Sequence, residues 1–437
     1  MWNPEVETLP RERMEALQLE RLRAAVARVL ARVPPLAARL RAAGIISPDD
    51  IRSLADLRRL PFTRKIDLRE HYPFGLFAVP VAHLVRIHGS SGTRGKPTIV
   101  GYTRNDLAMW SEVVARCLAL AGVRPGMVVH NAYGYGLFTG GLGLHQGAEL
   151  SGCTVVPISG GLIQRQATLL QDLRGQVLCC TPSYALCIAE ALETAQIDPR
   201  TLELEVGIFG AEPWSEELRG EIERRLGLAA VNIYGLAEIV GPGVSAECIE
   251  ARNGSHIQED HFLPEIVDPA SGEPLGPGLQ GELVLTTLTK RAMPVIRYRT
   301  GDITTLTTTP CRCGRTSARM GRLVGRADDM LIIKGVNVYP SEVEGALLDV
   351  ADLVPQYVLV VDRTSTLARV ELQIEPAPAF LERCRSLEPD HPEVGKLRGE
   401  VAARLRAALG LNVDVTLVPP RTIPRSEGKA VRVVERT

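Results

Sequence analysis

The ten residues His88-Gly89-Ser90-Ser91-Gly92-Thr93-Arg94-Gly95-Lys96-Pro97 constrain this chain more than any other stretch. Apolar residues flank them, Leu84-Val85-Arg86-Ile87 before and Thr98-Ile99-Val100 after, which predicts strand, tight loop, strand. Glycine permits positive φ and close backbone approach, so such a loop can surround phosphate oxygens with N–H groups and hydroxyls. The loop is not a P-loop. Five residues rather than four separate Gly89 from Gly95, and Pro97 stands where a magnesium-binding Ser or Thr would follow the lysine. The mismatch argues against a P-loop NTPase and leaves room for an enzyme that grips ATP differently.

Around this loop the chain reads as layered α/β structure. Leu19, Leu22, Val26, Val29, Leu30 and Val33 form one stripe of a helix over 10–34, ended by Pro34-Pro35. A second helix runs from Thr103 to Gly122. Strands are expected at Met127–His130, Cys153–Ile158, Val177–Thr181, Leu204–Phe209, Ala230–Tyr234 and Gly281–Thr286, with helical patterns between them. Near residue 325 the texture changes to a compact tail. It reads as a strand at Met330–Ile333, a helix at Ser341–Leu348, strands at Gln356–Asp362 and Ala368–Ile374, a helix near 390–409 and a strand at Asn412–Leu417. The expected division is a large unit, 1–328, and a small α+β unit, 329–437. At 437 residues the chain is long enough for more than one core.

The net charge of −1 speaks against nucleic acid as a partner. No apolar run is long enough for a bilayer, and no signal peptide is visible. Nine cysteines fit a reducing cytoplasm better than a disulfide framework. Cys179-Cys180 lies in an apolar strand and reads as core.

Four further segments carry chemistry. Tyr234-Gly235-Leu236-Ala237-Glu238 ends a strand and offers one carboxylate, a natural ligand for magnesium shared with phosphate oxygens. Tyr298-Arg299-Thr300-Gly301-Asp302 places an aspartate where it can accept both hydrogen bonds of a ribose diol. Gly325-Arg326-Ala327-Asp328-Asp329 precedes Ile333-Lys334-Gly335-Val336-Asn337, and Ser426-Glu427-Gly428-Lys429 lies near the C-terminus.

With the first loop, these segments in this order resemble the adenylate-forming superfamily of acyl-CoA synthetases, adenylation domains and luciferases. The nearer likeness, along essentially the whole chain, is to the phenylacetate–CoA ligase family. It is strongest over Asn131–Gly143, Leu283–Thr300 and Arg326–Glu344. The resemblance implies ATP-dependent activation of an aryl carboxylic acid as an acyl-adenylate, followed by thioester formation with coenzyme A. By matching motif, Ser90, Ser91, Gly92, Thr93, Gly95 and Lys96 would cradle the phosphates. Gly210, Ala211, Glu212, Tyr234 and Gly235 would line the adenine site. Glu238 would hold Mg²⁺, and Asp302 with Arg326 would bind the ribose. Lys429 would bridge carboxylate and α-phosphate oxygens during adenylation. The small unit would then turn about Asp328 and bring Lys334, Gly335 and Val336 to the coenzyme A tunnel.

The resemblance places the acid near Lys65, Tyr135, Phe138, His145, Gly147 and Ala211. Leu144 and Gln146 beside His145 depart from the family pattern, as do Arg94 and Gly301 in the nucleotide motifs. A phenylacetate-like acid or an amino- or hydroxy-benzoate is expected. A homodimer is a family expectation. The acceptor could instead be a carrier-protein thiol, or an amine or hydroxyl in natural-product assembly. A silent nucleotide-binding protein is a further alternative, opposed by the presence of Glu238, Asp302 and Lys429.

One constellation is separate from the nucleotide motifs. Cys311 and Cys313 form a Cys-x-Cys pair, and Cys248 precedes His256 by eight residues. Together they make a Cys₃His set for a structural zinc, with His261 as the reserve ligand.

Overall fold

The computed structural model describes residues 1–90, 97–326, 331–333, 336–348, 350–362, 369–388, 390–425 and 431–436. A nine-stranded sheet organises the large unit. Five of its strands are parallel, in the order Thr154–Val156, Val128–Asn131, Val177–Cys180, Val206–Gly210 and Ala229–Leu236. Val177–Cys180 and Val206–Gly210 are buried at every position, as strands covered on both faces must be. This explains their unbroken apolar sequence, and Cys179 and Cys180 are core residues. Beyond Ala229–Leu236 the sheet turns antiparallel through Gly241–Glu247, Ser255–Ile257, Arg319–Met320 and Leu306–Thr307. The expected strands coincide with the observed ones to within about two residues, the usual uncertainty of strand ends.

A second sheet orders Phe262–Val267, Gly281–Thr287, Tyr298–Thr304 and Gly325–Arg326, and sets Asp302 opposite Arg326. The glycine-rich loop is framed by an antiparallel pair, Arg86–Gly89 with Ile99–Tyr102.

The N-terminal helix spans Arg11–Arg32, and Pro34-Pro35 opens another helix, Pro34–Ala42, instead of only ending the first. Proline suits the first helical turn, where its missing N–H has no intrahelical partner. Thr103 caps the helix Arg104–Leu120: its hydroxyl accepts from the Asp106 N–H, and the Asp106 carboxylate accepts from the Thr103 N–H at 2.8 Å. A buried ion pair between Glu7 and Arg315 ties the first turn of the chain to the Cys-x-Cys loop, and the Thr316 N–H donates to the Glu7 carbonyl at 3.1 Å.

The small unit has its own apolar core, including Val338, Val343, Leu347, Leu359, Leu372, Val401 and Leu405. Its sheet runs Asp414–Leu417, Arg369–Pro376, Leu353–Asp362, Val433–Arg436, backed by the helices Pro340–Leu348 and Pro392–Leu409. The strand Val433–Arg436 and the helix Pro378–Cys384 are additions to the sequence reading. The expected boundary, Asp328, lies outside the described residues. Arg425 reaches from the small unit toward Glu190 on the helix Pro182–Thr194, at 3.8 Å. No helix among the described residues is long and apolar enough to cross a membrane.

Candidate active site

The site is built where the central strand Ala229–Leu236 ends. The register shifts between Tyr234 and Gly235. A Cβ on Gly235 would lie 1.9 Å from the Gly241 carbonyl oxygen, so only glycine allows the two strands to approach. The turn that follows carries Glu238, buried at 6% exposure. Its carboxylate accepts no hydrogen bond among the described residues, which leaves it available to a cation.

Tyr234, Asp302 and Arg326 come together across the two sheets. The Tyr234 hydroxyl donates to Asp302 Oδ2 at 2.6 Å, and Arg326 donates to Oδ1 at 3.1 Å. Burial, with the Asp302 charge beside it, pushes the Tyr234 phenol well above its ordinary value, so it stays a donor. Asp302 follows Gly301, whose φ of 79° suits glycine.

Gly210 and Ala211 form the neighbouring edge. A Cβ on Gly210 would meet the Ile233 carbonyl oxygen at 2.0 Å, and Ala211 itself sits at φ 72°. Glu212 Oε1 accepts the Ser183 N–H at 2.7 Å, which anchors this edge to the helix Pro182–Thr194. At the base of the glycine-rich loop, Ser90 donates its N–H to the Thr98 carbonyl at 2.9 Å. Ser91, Gly92, Thr93, Gly95, Lys96, Asp328, Lys334, Gly335 and Lys429 lie outside the described residues. Val336 begins the strand Val336–Val338, paired with Ile333.

The expected acid pocket divides. Tyr135 and His145 meet through the Tyr135 hydroxyl and Nδ1, 3.1 Å apart, and His145 Nε2 lies 3.1 Å from Glu149. Asn131, which the sequence reading did not single out, donates to the same hydroxyl at 2.8 Å. Phe138 precedes the helix Thr139–Leu150 and packs on Gly140. At Gly147 a Cβ would strike Val114 at 2.2 Å, so this glycine allows close packing against the helix Arg104–Leu120. Lys65 is half-buried at the start of the helix Lys65–Glu70. Two residues before it, Thr63 accepts from Arg299 N–H, which fastens this segment to the strand of Asp302.

The four expected zinc ligands also converge. One donor atom each from Cys248, His256, Cys311 and Cys313 lies within 4.8 Å of all the others. Cys248 and Cys311 sulfurs are 3.6 Å apart, and Cys313 Sγ is 3.4 Å from His256 Nε2. Ligand atoms of a tetrahedral zinc stand roughly 3.3–3.8 Å apart, a range that holds both of these distances. Burial, with Arg315 and Arg319 nearby, drives the His256 imidazole down to about 3, so it is neutral near pH 7 and able to ligate. Its Nδ1 rests 3.0 Å from Ser317 Oγ, an outer contact that orients the ring. His261, the reserve ligand, is excluded from this cluster and lies instead with Asp260 at 3.1 Å and Thr289 at 2.8 Å.

Residues 80–288 match the AMP-binding enzyme family, and residues 335–437 match the AMP-binding enzyme C-terminal domain. A phenylacetate-coenzyme A ligase of Thermus thermophilus is 55% identical over 441 residues, which cover 99% of each chain. The chain belongs to the phenylacetate-coenzyme A ligase family. A relative of that name from Escherichia coli is 48% identical, over 98% of this chain and 96% of its own. Among solved structures, 2-hydroxyisobutyryl-CoA ligase in its postadenylation state with 2-HIB-AMP superposes with a TM-score of 0.92 at 29% identity, over 99% of this chain and 92% of its own. The same ligase with 2-HIB-AMP and CoA in the thioesterification state gives 0.73 at 30% identity, over 99% and 91%. The present family member thus follows the first of these two arrangements.

Proposed function

We propose that this chain couples an aryl carboxylic acid to coenzyme A in two steps at one site. In the first, the acid's carboxylate oxygen attacks the α-phosphorus of ATP and the bond to pyrophosphate breaks, leaving an acyl-adenylate. In the second, the coenzyme A sulfur attacks the acyl carbon, the bond to AMP breaks, and the thiol proton passes to solvent. The observation that carries this reading is the Tyr234–Asp302–Arg326 cluster beside the Glu238 turn. It is held in a backbone that follows a ligase containing its acyl-adenylate.

Asp302, oriented by Tyr234 and Arg326, would accept the ribose hydroxyls. Glu238 is the proposed ligand of Mg²⁺, which supplies charge neutralisation for the triphosphate. Lys96 would face the terminal phosphates. Lys429 would lie between the two anions that react, where a cation stabilises the transition state more than either ground state. Residues 1–328 and 329–437 would move as two units about Asp328 to bring Lys334, Gly335 and Val336 to the pantetheine arm.

The Asn131–Tyr135–His145 chain lines the proposed acid pocket with hydrogen-bonding groups as well as ring surface. This supports an aryl acid of the phenylacetate type or one bearing a hydroxyl or amino group. Cys248, His256, Cys311 and Cys313 would hold a structural zinc, remote from the reacting atoms in role.

Acid-dependent pyrophosphate release from ATP-Mg²⁺ tests the reading, with phenylacetate, benzoate, anthranilate and hydroxybenzoates, each with and without coenzyme A. An acyl-CoA product supports it. Adenylate without thioester moves the acceptor to a carrier-protein thiol or another nucleophile, and no release with any of these acids overturns it.

A further inference from the structure

The turn that presents Glu238 is gripped from beneath by Lys290, to which the sequence assigned no role. Lys290 lies between the strand Gly281–Thr287 and the strand of Asp302, with only 2% of its surface exposed. Its ammonium donates to the Ile239 carbonyl at 2.7 Å and reaches the Glu238 carbonyl at 3.4 Å. It also stands 5.1 Å from the centre of the Tyr102 ring. The Tyr102 hydroxyl donates to the Val240 carbonyl at 2.9 Å. Three successive carbonyls, 238 to 240, are therefore held by two side chains.

The support beneath is rigid. Tyr102 stacks on Trp110 with ring centroids 4.8 Å apart, and the Trp110 indole donates to the Pro242 carbonyl at 2.8 Å. His88, at the root of the glycine-rich loop, packs edge-on against both rings, 5.6 Å from each. The buried Asp106 carboxylate accepts the N–H groups of Arg291 and Ala292 at 2.6 and 3.0 Å, fixing the backbone just after Lys290. Burying an ammonium costs several kcal/mol unless its hydrogen bonds and nearby charges compensate. A neutral apolar residue would fill this space without that cost, but it could not hold the carbonyls.

We propose that Lys290 is a positioning residue for adenylate formation: by holding the Glu238 and Ile239 carbonyls it sets the direction from which the Glu238 carboxylate meets the metal on the triphosphate. This rests on the reading of Glu238 as the metal ligand. Lys290 itself touches neither substrate nor metal.

The test is calorimetric binding of two probes, Mn²⁺·ATP and metal-free AMP, to the whole protein, with thermal unfolding measured alongside. Glu238→Gln serves as reference and should weaken Mn²⁺·ATP while sparing AMP. Lys290→Met should weaken Mn²⁺·ATP by about tenfold, the usual scale for losing a support behind a metal ligand, and leave AMP within about twofold. Tyr102→Phe, which keeps Lys290 but releases the Val240 carbonyl, should shift binding in the same direction by less, and stands in if Lys290→Met does not fold. Equal loss of both probes in these two variants makes the network merely structural and overturns the proposal. So does unchanged Mn²⁺·ATP binding in both while Glu238→Gln is impaired. If Glu238→Gln itself binds Mn²⁺·ATP normally, the metal-ligand reading fails, and the proposal fails with it.

Discussion

Tyr234 and Asp302, 68 residues apart in sequence, share a 2.6 Å hydrogen bond that joins the central sheet to its neighbour. The bond fixes one oxygen of the carboxylate proposed to hold the ribose. A hydrogen bond to a charged partner contributes about 1.5–3 kcal/mol. Tyr234→Phe should therefore raise the KM for ATP by roughly tenfold, with a smaller effect on kcat. Steady-state kinetics at saturating acid and coenzyme A checks this; an unchanged KM would show that the bond does not orient the ribose site.

Gly235→Ala should be among the most damaging single-methyl changes in the chain. The added carbon would lie 1.9 Å from one backbone oxygen and 2.8 Å from the Pro242 Cα, neither of which can swing aside like a side chain. The strand pair must open just before Glu238. Loss of about 1–3 kcal/mol of stability is expected, together with loss of adenylate formation. Thermal unfolding and pyrophosphate release measure the two effects, and a variant with the parent's Tm and activity would refute the clash.

Protein purified without metal-chelating resin should contain about one zinc per chain. Cys311→Ser and His256→Ala should each lower that content and the Tm, whereas His261→Ala should leave the zinc in place. Elemental analysis separates these outcomes. Full zinc in His256→Ala would remove that histidine from the ligand set.

Glu112 gives a pH dependence with a definite sign. Burial alone would raise its carboxyl, but the His261 ring 3.6 Å away and the hydrogen-bonded Arg116 guanidinium outweigh it and bring the value from 4.5 down to about 2. A depressed carboxyl stabilises the fold above its unfolded value and loses that contribution as pH falls from about 4.5 towards 2. Its partial exposure puts the contribution at about 1–3 kcal/mol. Glu112→Gln should therefore melt below the parent at pH 7, with the gap closing as the acid is approached. A gap that is constant from pH 7 to pH 3 would contradict the assignment.

The parallel sheet was legible because strands covered on both faces must be apolar throughout, and Val177–Cys180 and Val206–Gly210 are written that way. The helix after Thr103 was legible because Leu107, Trp110, Val114, Cys117 and Leu118 recur on one face and Gly122 ends the pattern. Pro34-Pro35 misled because the same dipeptide that stops one helix can start the next. That Cys248 and the Cys-x-Cys pair come together was suggested by residue type and spacing, but whether His256 or His261 joins them depended on which way a short strand turns its side chains. The close packing of Gly147 on Val114 carried no sign in the sequence, since a missing Cβ does not name its neighbour. Lys290 was invisible for another reason. Its partners are main-chain carbonyls about fifty positions away, and carbonyls have no residue identity to read.

The Glu7–Arg315 pair makes the beginning of the chain a mechanical part of the cysteine loop. Arg315 sits between the Glu7 carboxylate and the Cys313 sulfur, almost wholly enclosed. Shortening the protein by its first ten residues would not simply fray an end. It would leave a guanidinium sealed in the interior without its counter-charge, more than three hundred positions from the cut, and the damage would register first in the placing of Cys313.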